Sequence, residues 1–255
     1  MMTTTNFYGD TTVLTGRSLR HILRSPDTII TTAVTPVALM LLFVYVFGGA
    51  IDTGSESYLN FMLPGILLIT IASGIAYTSY RLFMDMQGGI FERFQSMPIA
   101  RSSALWAHVL TSLVANLISL LIVIGIALLM GFRTGASVLA WLAVAGILIL
   151  FTLALTWVAV IAGLSAKTVD GAGAFAYPLI FLPFISSAFV PTDTMPGPVE
   201  WFAENQPVTS IVDTIRALFA QQPVGNDIWI ALAWCVGILI VAYAASTAIY
   251  RRKIS

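Results

Sequence analysis

The chain has 255 residues, 58% hydrophobic and only 9% charged, with a formal net charge of zero. Soluble globular domains carry about 25% charged residues, so the composition excludes an ordinary water-soluble core; the zero net charge by itself says nothing about partners, and no nucleic-acid partner is expected. The single cysteine, Cys235, excludes a disulfide within the chain.

The first 27 residues are polar and basic, without the apolar core of a cleavable signal, so the first apolar stretch is expected to direct insertion. From Thr15 to Ser25 the helical period gathers Arg17, Arg20 and Arg24 on one stripe and Leu19, Ile22 and Leu23 on the opposite half. That pattern predicts an amphipathic helix lying in the headgroup layer, broken by Ser25-Pro26-Asp27.

Six stretches then lack Asp, Glu, Lys and Arg: Thr28–Ile51, Ser57–Tyr80, Ser102–Phe132, Thr134–Ala166, Gly171–Thr192 and Ile228–Tyr250. Each is 22 residues or longer, and a helix needs about 20 apolar residues to cross a bilayer. The expected fold is an all-α integral membrane protein with six transmembrane helices. Its transmembrane domain covers 28–250, after a cytoplasmic N-terminus (1–27) and before a short cytoplasmic tail (251–255). Ten Lys and Arg residues fall in one alternate set of connecting segments, and only Arg133 and Arg216 in the other. Positively charged loops stay inside, which predicts both termini in the cytoplasm.

Between the second and third stretches, Gly88-Gly89 marks a bend. Ile90, Phe91, Phe94 and Met97 then recur at helical spacing, with Glu92 and Arg93 on the other face, until Met97-Pro98 stops the helix. A short cytoplasmic helix with an aromatic face (about 86–98) suits either an interfacial anchor or a knob that docks into a soluble partner. Within the stretches polar content is mild. Phe43, Phe47, Trp157, Tyr177, Phe181 and Phe184 could line an apolar path for a lipophilic cargo, and Gly171-Ala172-Gly173-Ala174 would let two helices approach closely. His108 is expected to be a snorkelling or interhelical polar group.

The segment Asp193–Asp227 is rich in turn signals. Pro191, Pro196 and Pro198 break the chain, Val199–Phe202 can form a turn or two of helix, and Asn205-Gln206-Pro207 makes a turn. Ser210-x-x-Asp213 has the form of a capping box. Ile211, Val212, Ile215, Leu218 and Phe219 follow as an apolar stripe that Pro223 would end. Two short helices at about 196–220, carrying Trp201, Phe202, Ile211, Ile215 and Phe219 and partly re-entering the membrane, are expected.

Catalytic patterns are missing. No metal-ligand spacing surrounds His21 or His108, and Gly163–Thr168 lacks the glycines of a phosphate loop. With no midplane carboxylate to couple an ion gradient, energy for transport would have to enter from a cytoplasmic partner.

Two fragments carry a resemblance: ERFQSMPIAR at Glu92–Arg101 and SSAFVPTDTMPGPVEWFAENQPVTSIVDTIRALF at Ser186–Phe219. Together with the layout of the whole chain, they resemble the permease subunit of daunorubicin-resistance-type ATP-binding-cassette exporters, the second transporter class (type V exporters). The resemblance implies pairing of two permease copies, identical or related, with two copies of a separate ATPase that binds the ATP and Mg, this chain itself holding no cofactor. It implies that Phe91, Glu92, Arg93, Phe94, Met97 and Pro98 form the coupling helix, that Arg17, Arg20 and Arg24 lie on a connecting helix, that the outer helices with Trp201, Phe202, Ile211, Ile215 and Phe219 form an exit gate, and that a hydrophobic drug or lipid-like cargo leaves a bacterial cell membrane. A polysaccharide or teichoic-acid exporter permease and a lipid-modifying membrane enzyme are the alternatives; the latter would need a catalytic cluster that the outer carboxylates do not form.

Overall fold

The computed structural model describes residues 26–49, 57–89 and 103–254, with residues 9, 11, 12, 15 and 16 of the N-terminal segment. Every regular element among them is helical. Helix α1 (Pro26–Leu42) runs into one π-helical turn, Phe43–Phe47. Helix α2 (Tyr58–Gln87) starts at Ser57, whose hydroxyl accepts from the Asn60 N–H at 3.3 Å, satisfying one of the orphan donors of the first turn. It stops where Gly88 N–H returns to Met84 O and Gly89 takes a positive φ of 68°, so the glycine pair forms the expected bend. Helices α3 (Ser103–Leu129) and α4 (Val138–Ser165) follow, joined by a short loop.

The fifth charge-free stretch is not one rod. It folds as α5 (Val169–Ala174), α6 (Ala176–Phe181) and a 3₁₀ turn at Leu182–Ile185. Another 3₁₀ turn, Thr192–Thr194, leads to α7 (Gly197–Asn205) and α8 (Pro207–Ala220). Pro178 and Pro183 lack the N–H that a continuous helix needs. The last helix, α9 (Asp227–Ile254), carries Arg251, Arg252 and Lys253 in its final turn, where the helix dipole favours cations. Among the described residues four helices, α2, α3, α4 and α9, are long and apolar enough to cross a membrane.

Helix α2 is the central rod. It packs on α1, α3, α4, α5 and α6, and Met62, Leu63, Ile66, Leu67, Ile69, Ile71 and Ile75 are almost fully enclosed. Helix α9 lies against α4 and leaves most of its surface outward, as a lipid-facing helix should. The core divides into two clusters. One surrounds the N-terminal half of α2 and takes in α8; the other gathers Leu82, Leu105, Val109, Trp157, Val160, Leu164, Ala242 and Tyr250 at the opposite end. Small residues set the closest approaches. A Cβ on Gly163 would lie 2.8 Å from the Ser79 carbonyl, and one on Gly74 would lie 2.1 Å from Asn116 Oδ1. In Gly171–Ala174, Ala172 is the buried residue and Gly173 faces open space, so α5 meets α2 through an alanine.

Candidate transport site

The paired helices α7 and α8 sit beside the N-terminal end of α2. Gln206 separates them in an extended conformation, and Pro207 opens α8, a position where its missing N–H is harmless. The helix therefore begins three residues before Ser210, which rules out the capping box. Inside the helix, Ser210 O accepts from the Thr214 hydroxyl and Asp213 turns to Arg216. The helix also ends before Pro223, because Gln221 adopts a left-handed conformation (φ 55°) with its N–H on Ala217 O. The apolar stripe is buried within the protein: Ile211 and Ile215 are fully enclosed, and Phe219 packs edge-on against Phe132 and tilted against Trp141. Trp201 and Phe202 of α7 are exposed.

One side chain fastens this pair of helices to the bundle. Arg216 donates to Asp213 Oδ1 at 2.7 Å, to the Ser187 carbonyl at 2.6 Å and to the Phe61 carbonyl at 3.1 Å, and its guanidinium lies 3.9 Å from the Phe61 ring centroid. The Ser187 hydroxyl donates to Asp213 Oδ1 at 2.6 Å. Gln206 donates to Ile185 O at 2.7 Å and, more weakly, to Leu182 O at 3.4 Å. The ends of broken helices leave carbonyls without partners; Arg216 and Gln206 supply donors to those of 182–187. Burial pushes the Asp213 carboxyl above its ordinary pKa, outweighing the Ser187 hydroxyl and the Arg216 guanidinium, which pull it down.

The fold draws four of the six path aromatics together. Phe43 lies 5.5 Å from Phe47 and 6.1 Å from Phe184, and Phe184 lies 6.1 Å from Phe181. Phe189, absent from the sequence-derived set, completes the group: it stacks at 4.9 Å on both Phe43 and Phe184. In the sequence it figures only within the fragment Ser186–Phe219 that carries the resemblance. Phe47 and Phe181 are partly exposed, so the cluster opens outward between α1 and α6. Tyr177 is exposed on the same short helix. Trp157 lies elsewhere, in the other core cluster, edge-on to Trp106 and Tyr243.

At the far end of α2 a polar seam runs between α2 and α3. Thr78 and Ser112 share a hydrogen bond, Asn116 donates to Ser112 O at 3.0 Å, and His108 Nε2 lies 3.1 Å from Asp85 Oδ2. His108 is thus an interhelical group. The seam ends next to Gly88-Gly89. The segment carrying Phe91, Glu92, Arg93, Phe94, Met97 and Pro98 lies outside the described residues, as do Arg17, Arg20 and Arg24. Among the described residues no group of three or more His, Cys, Asp or Glu side chains converges to hold a metal.

A family model described as ABC-2 type transporter matches residues 10–220. The chain is 27% identical over 241 residues to the daunorubicin resistance ABC transporter permease protein of Streptomyces coeruleorubidus, an alignment covering 93% of this chain and 84% of that one. It is also 27% identical over 250 residues, 96% of this chain and 90% of the other, to the "Probable doxorubicin resistance ABC transporter permease protein" of Mycobacterium tuberculosis.

Proposed function

Because this chain belongs to the ABC-2 type transporter family, a family of multi-pass transporter subunits, we propose that it is the membrane-spanning permease of an exporter for a hydrophobic drug or lipid-like cargo. ATP hydrolysis takes place on a separate cytoplasmic ATPase, present in two copies, and a second permease copy completes the pathway. The single observation that carries this reading is the family match across residues 10–220, on a chain whose relatives are named for drug resistance.

The physical features support the division of labour. The apolar helices carry almost no ionisable groups to couple an ion gradient, so the energy enters at the cytoplasmic end. Six membrane crossings are reached when α1 with its π-helical turn and the broken α5–α6 segment are counted beside the four long helices. Both termini then lie in the cytoplasm, and ATPase motion enters through Phe91–Pro98. The α7–α8 pair closes the opposite end as a re-entrant gate. The aromatic group of Phe43, Phe47, Phe181, Phe184 and Phe189 offers the cargo stacking surfaces without a fixed polar code, which suits chemically varied lipophilic molecules.

Purification of the tagged chain from its native membrane in mild detergent, with co-purifying chains identified by mass, tests the reading. An ATP-binding-cassette ATPase in equal amount is the expected result; a permease free of any ATPase, under conditions that preserve such complexes, would overturn it. With the complex in hand, Glu92→Ala and Phe94→Ala should abolish cargo-stimulated ATP hydrolysis while helix content stays the same. Normal stimulation in both variants would remove the coupling role from this segment.

A further inference from the structure

The loop between α3 and α4 folds down onto the C-terminal end of α8. Thr134 donates to Phe219 O at 2.6 Å, Gln221 donates to Gly135 O, and Asn60 at the start of α2 donates to Arg133 O at 3.0 Å. The junction encloses an open cavity of about 180 Å³. Both basic residues that the sequence sets apart from the ten-residue group, Arg133 and Arg216, line it. No carboxylate is among its lining residues.

The two arginines are not equivalent. Arg216 is balanced by Asp213. Among the described residues Arg133 has no acidic partner within 4 Å, and its guanidinium donates only to the carbonyls of Leu128, in the last turn of α3, and Phe132, just past it. Carbonyls at a helix end hold a cation in place without neutralising its full charge. The cavity therefore carries net positive character.

Its surroundings indicate what it meets. Leu129, Val138 and Leu139 flank the loop and are 89%, 78% and 77% exposed, an apolar surface of the kind that acyl chains cover in a bilayer. Arginine at such a boundary pairs with phosphate through charge-assisted hydrogen bonds. Pockets that hold drug-sized ligands measure roughly 300–1,000 Å³. The cavity is too small for a whole drug molecule and large enough for one phosphate group.

We infer that this junction is a phosphate-headgroup site for a membrane phospholipid, in which Arg133 binds the phosphodiester while the acyl chains lie along Leu129, Val138 and Leu139. The permease reading enters only in naming the leaflet, the outer one; binding itself does not depend on it.

Native mass spectrometry of the purified chain in detergent, titrated with phosphatidylglycerol or with diacylglycerol of the same chain length, tests the inference. The wild type should retain phosphatidylglycerol adducts in preference to diacylglycerol. Arg133→Gln should weaken that preference about tenfold or more, and Arg133→Lys, which keeps the charge, should retain most of it. Thermal melting of both variants separates lost binding from lost folding. Equal preference in wild type and Arg133→Gln would overturn the site, and displacement of the lipid by millimolar inorganic phosphate would reassign it to a free anion. None of these readouts involves an ATPase, so their failure is distinguishable from failure of the co-purification.

Discussion

Helix α4 and the segment from Val169 to Ile185 begin from the same ingredients and end as different structures. Both are drawn from long charge-free stretches, apart from Asp170 at the start of the second, yet α4 is an unbroken rod of 28 residues and the other breaks into three short pieces. In α4 there is no proline, and the hydroxyls of Thr152 and Thr156 fold back on their own helix, to Leu148 O at 2.7 Å and Thr152 O at 2.6 Å. In the broken segment Pro178 and Pro183 withhold donors, and the carbonyls at and just past its C-terminal end, Ile185 O and Ser187 O, find Gln206 and Arg216 on another element. A scan for charge alone does not tell the two stretches apart. What separates them is where the backbone hydrogen bonds go.

The sharpest way to break this contrast is to remove the external donor. Arg216→Ala leaves Ser187 O and Phe61 O without it and strands the half-buried Asp213. A loss of about 3 kcal/mol in detergent unfolding is expected, at the low end of the range for a broken buried pair, because Asp213 keeps 34% of its side chain exposed. Unchanged stability would mean that the broken segment holds itself together.

The rod should instead be sensitive to volume. Gly163→Ala would drive a methyl group to within 2.8 Å of the Ser79 carbonyl, and backbone cannot swing aside as a side chain can. The expected cost is about 1–3 kcal/mol, read by the same unfolding assay. Its control is Gly146→Ala in the same helix. A Cβ there meets nothing within 4 Å, and the better helix former should stabilise α4 by up to about 1 kcal/mol. If both glycines behaved alike, the α2–α4 contact would not be setting the packing.

Much of the architecture was legible in the chain. The glycine pair at 88–89, the two outer helices on either side of Gln206, and the buried stripe of Ile211, Ile215 and Phe219 follow from turn chemistry and the helical period. The break within Gly171–Thr192 was not, although its prolines were in view. A proline in an apolar run can merely kink a helix whose loose ends find partners elsewhere, and the partners here lie more than 20 residues further along, at Gln206 and Arg216. Ser210 misled for a related reason. A capping motif competes with a proline that already starts a helix well, and Pro207 stands three residues earlier. In the site, Phe43, Phe47, Phe181 and Phe184 could be chosen by residue type, but nothing in their spacing distinguished them from Trp157, which the packing carries to the opposite end.

The anchorage of α7 and α8 has one more implication. Arg216 and Gln206 grip the main-chain oxygens of Phe61, Leu182, Ile185 and Ser187, which every amino acid possesses. Leu182 and Ile185 can therefore change identity without loosening this anchorage, and so can Phe184 beside them. A lineage can vary the side chains of this aromatic group while the attachment of α7 and α8 is inherited intact.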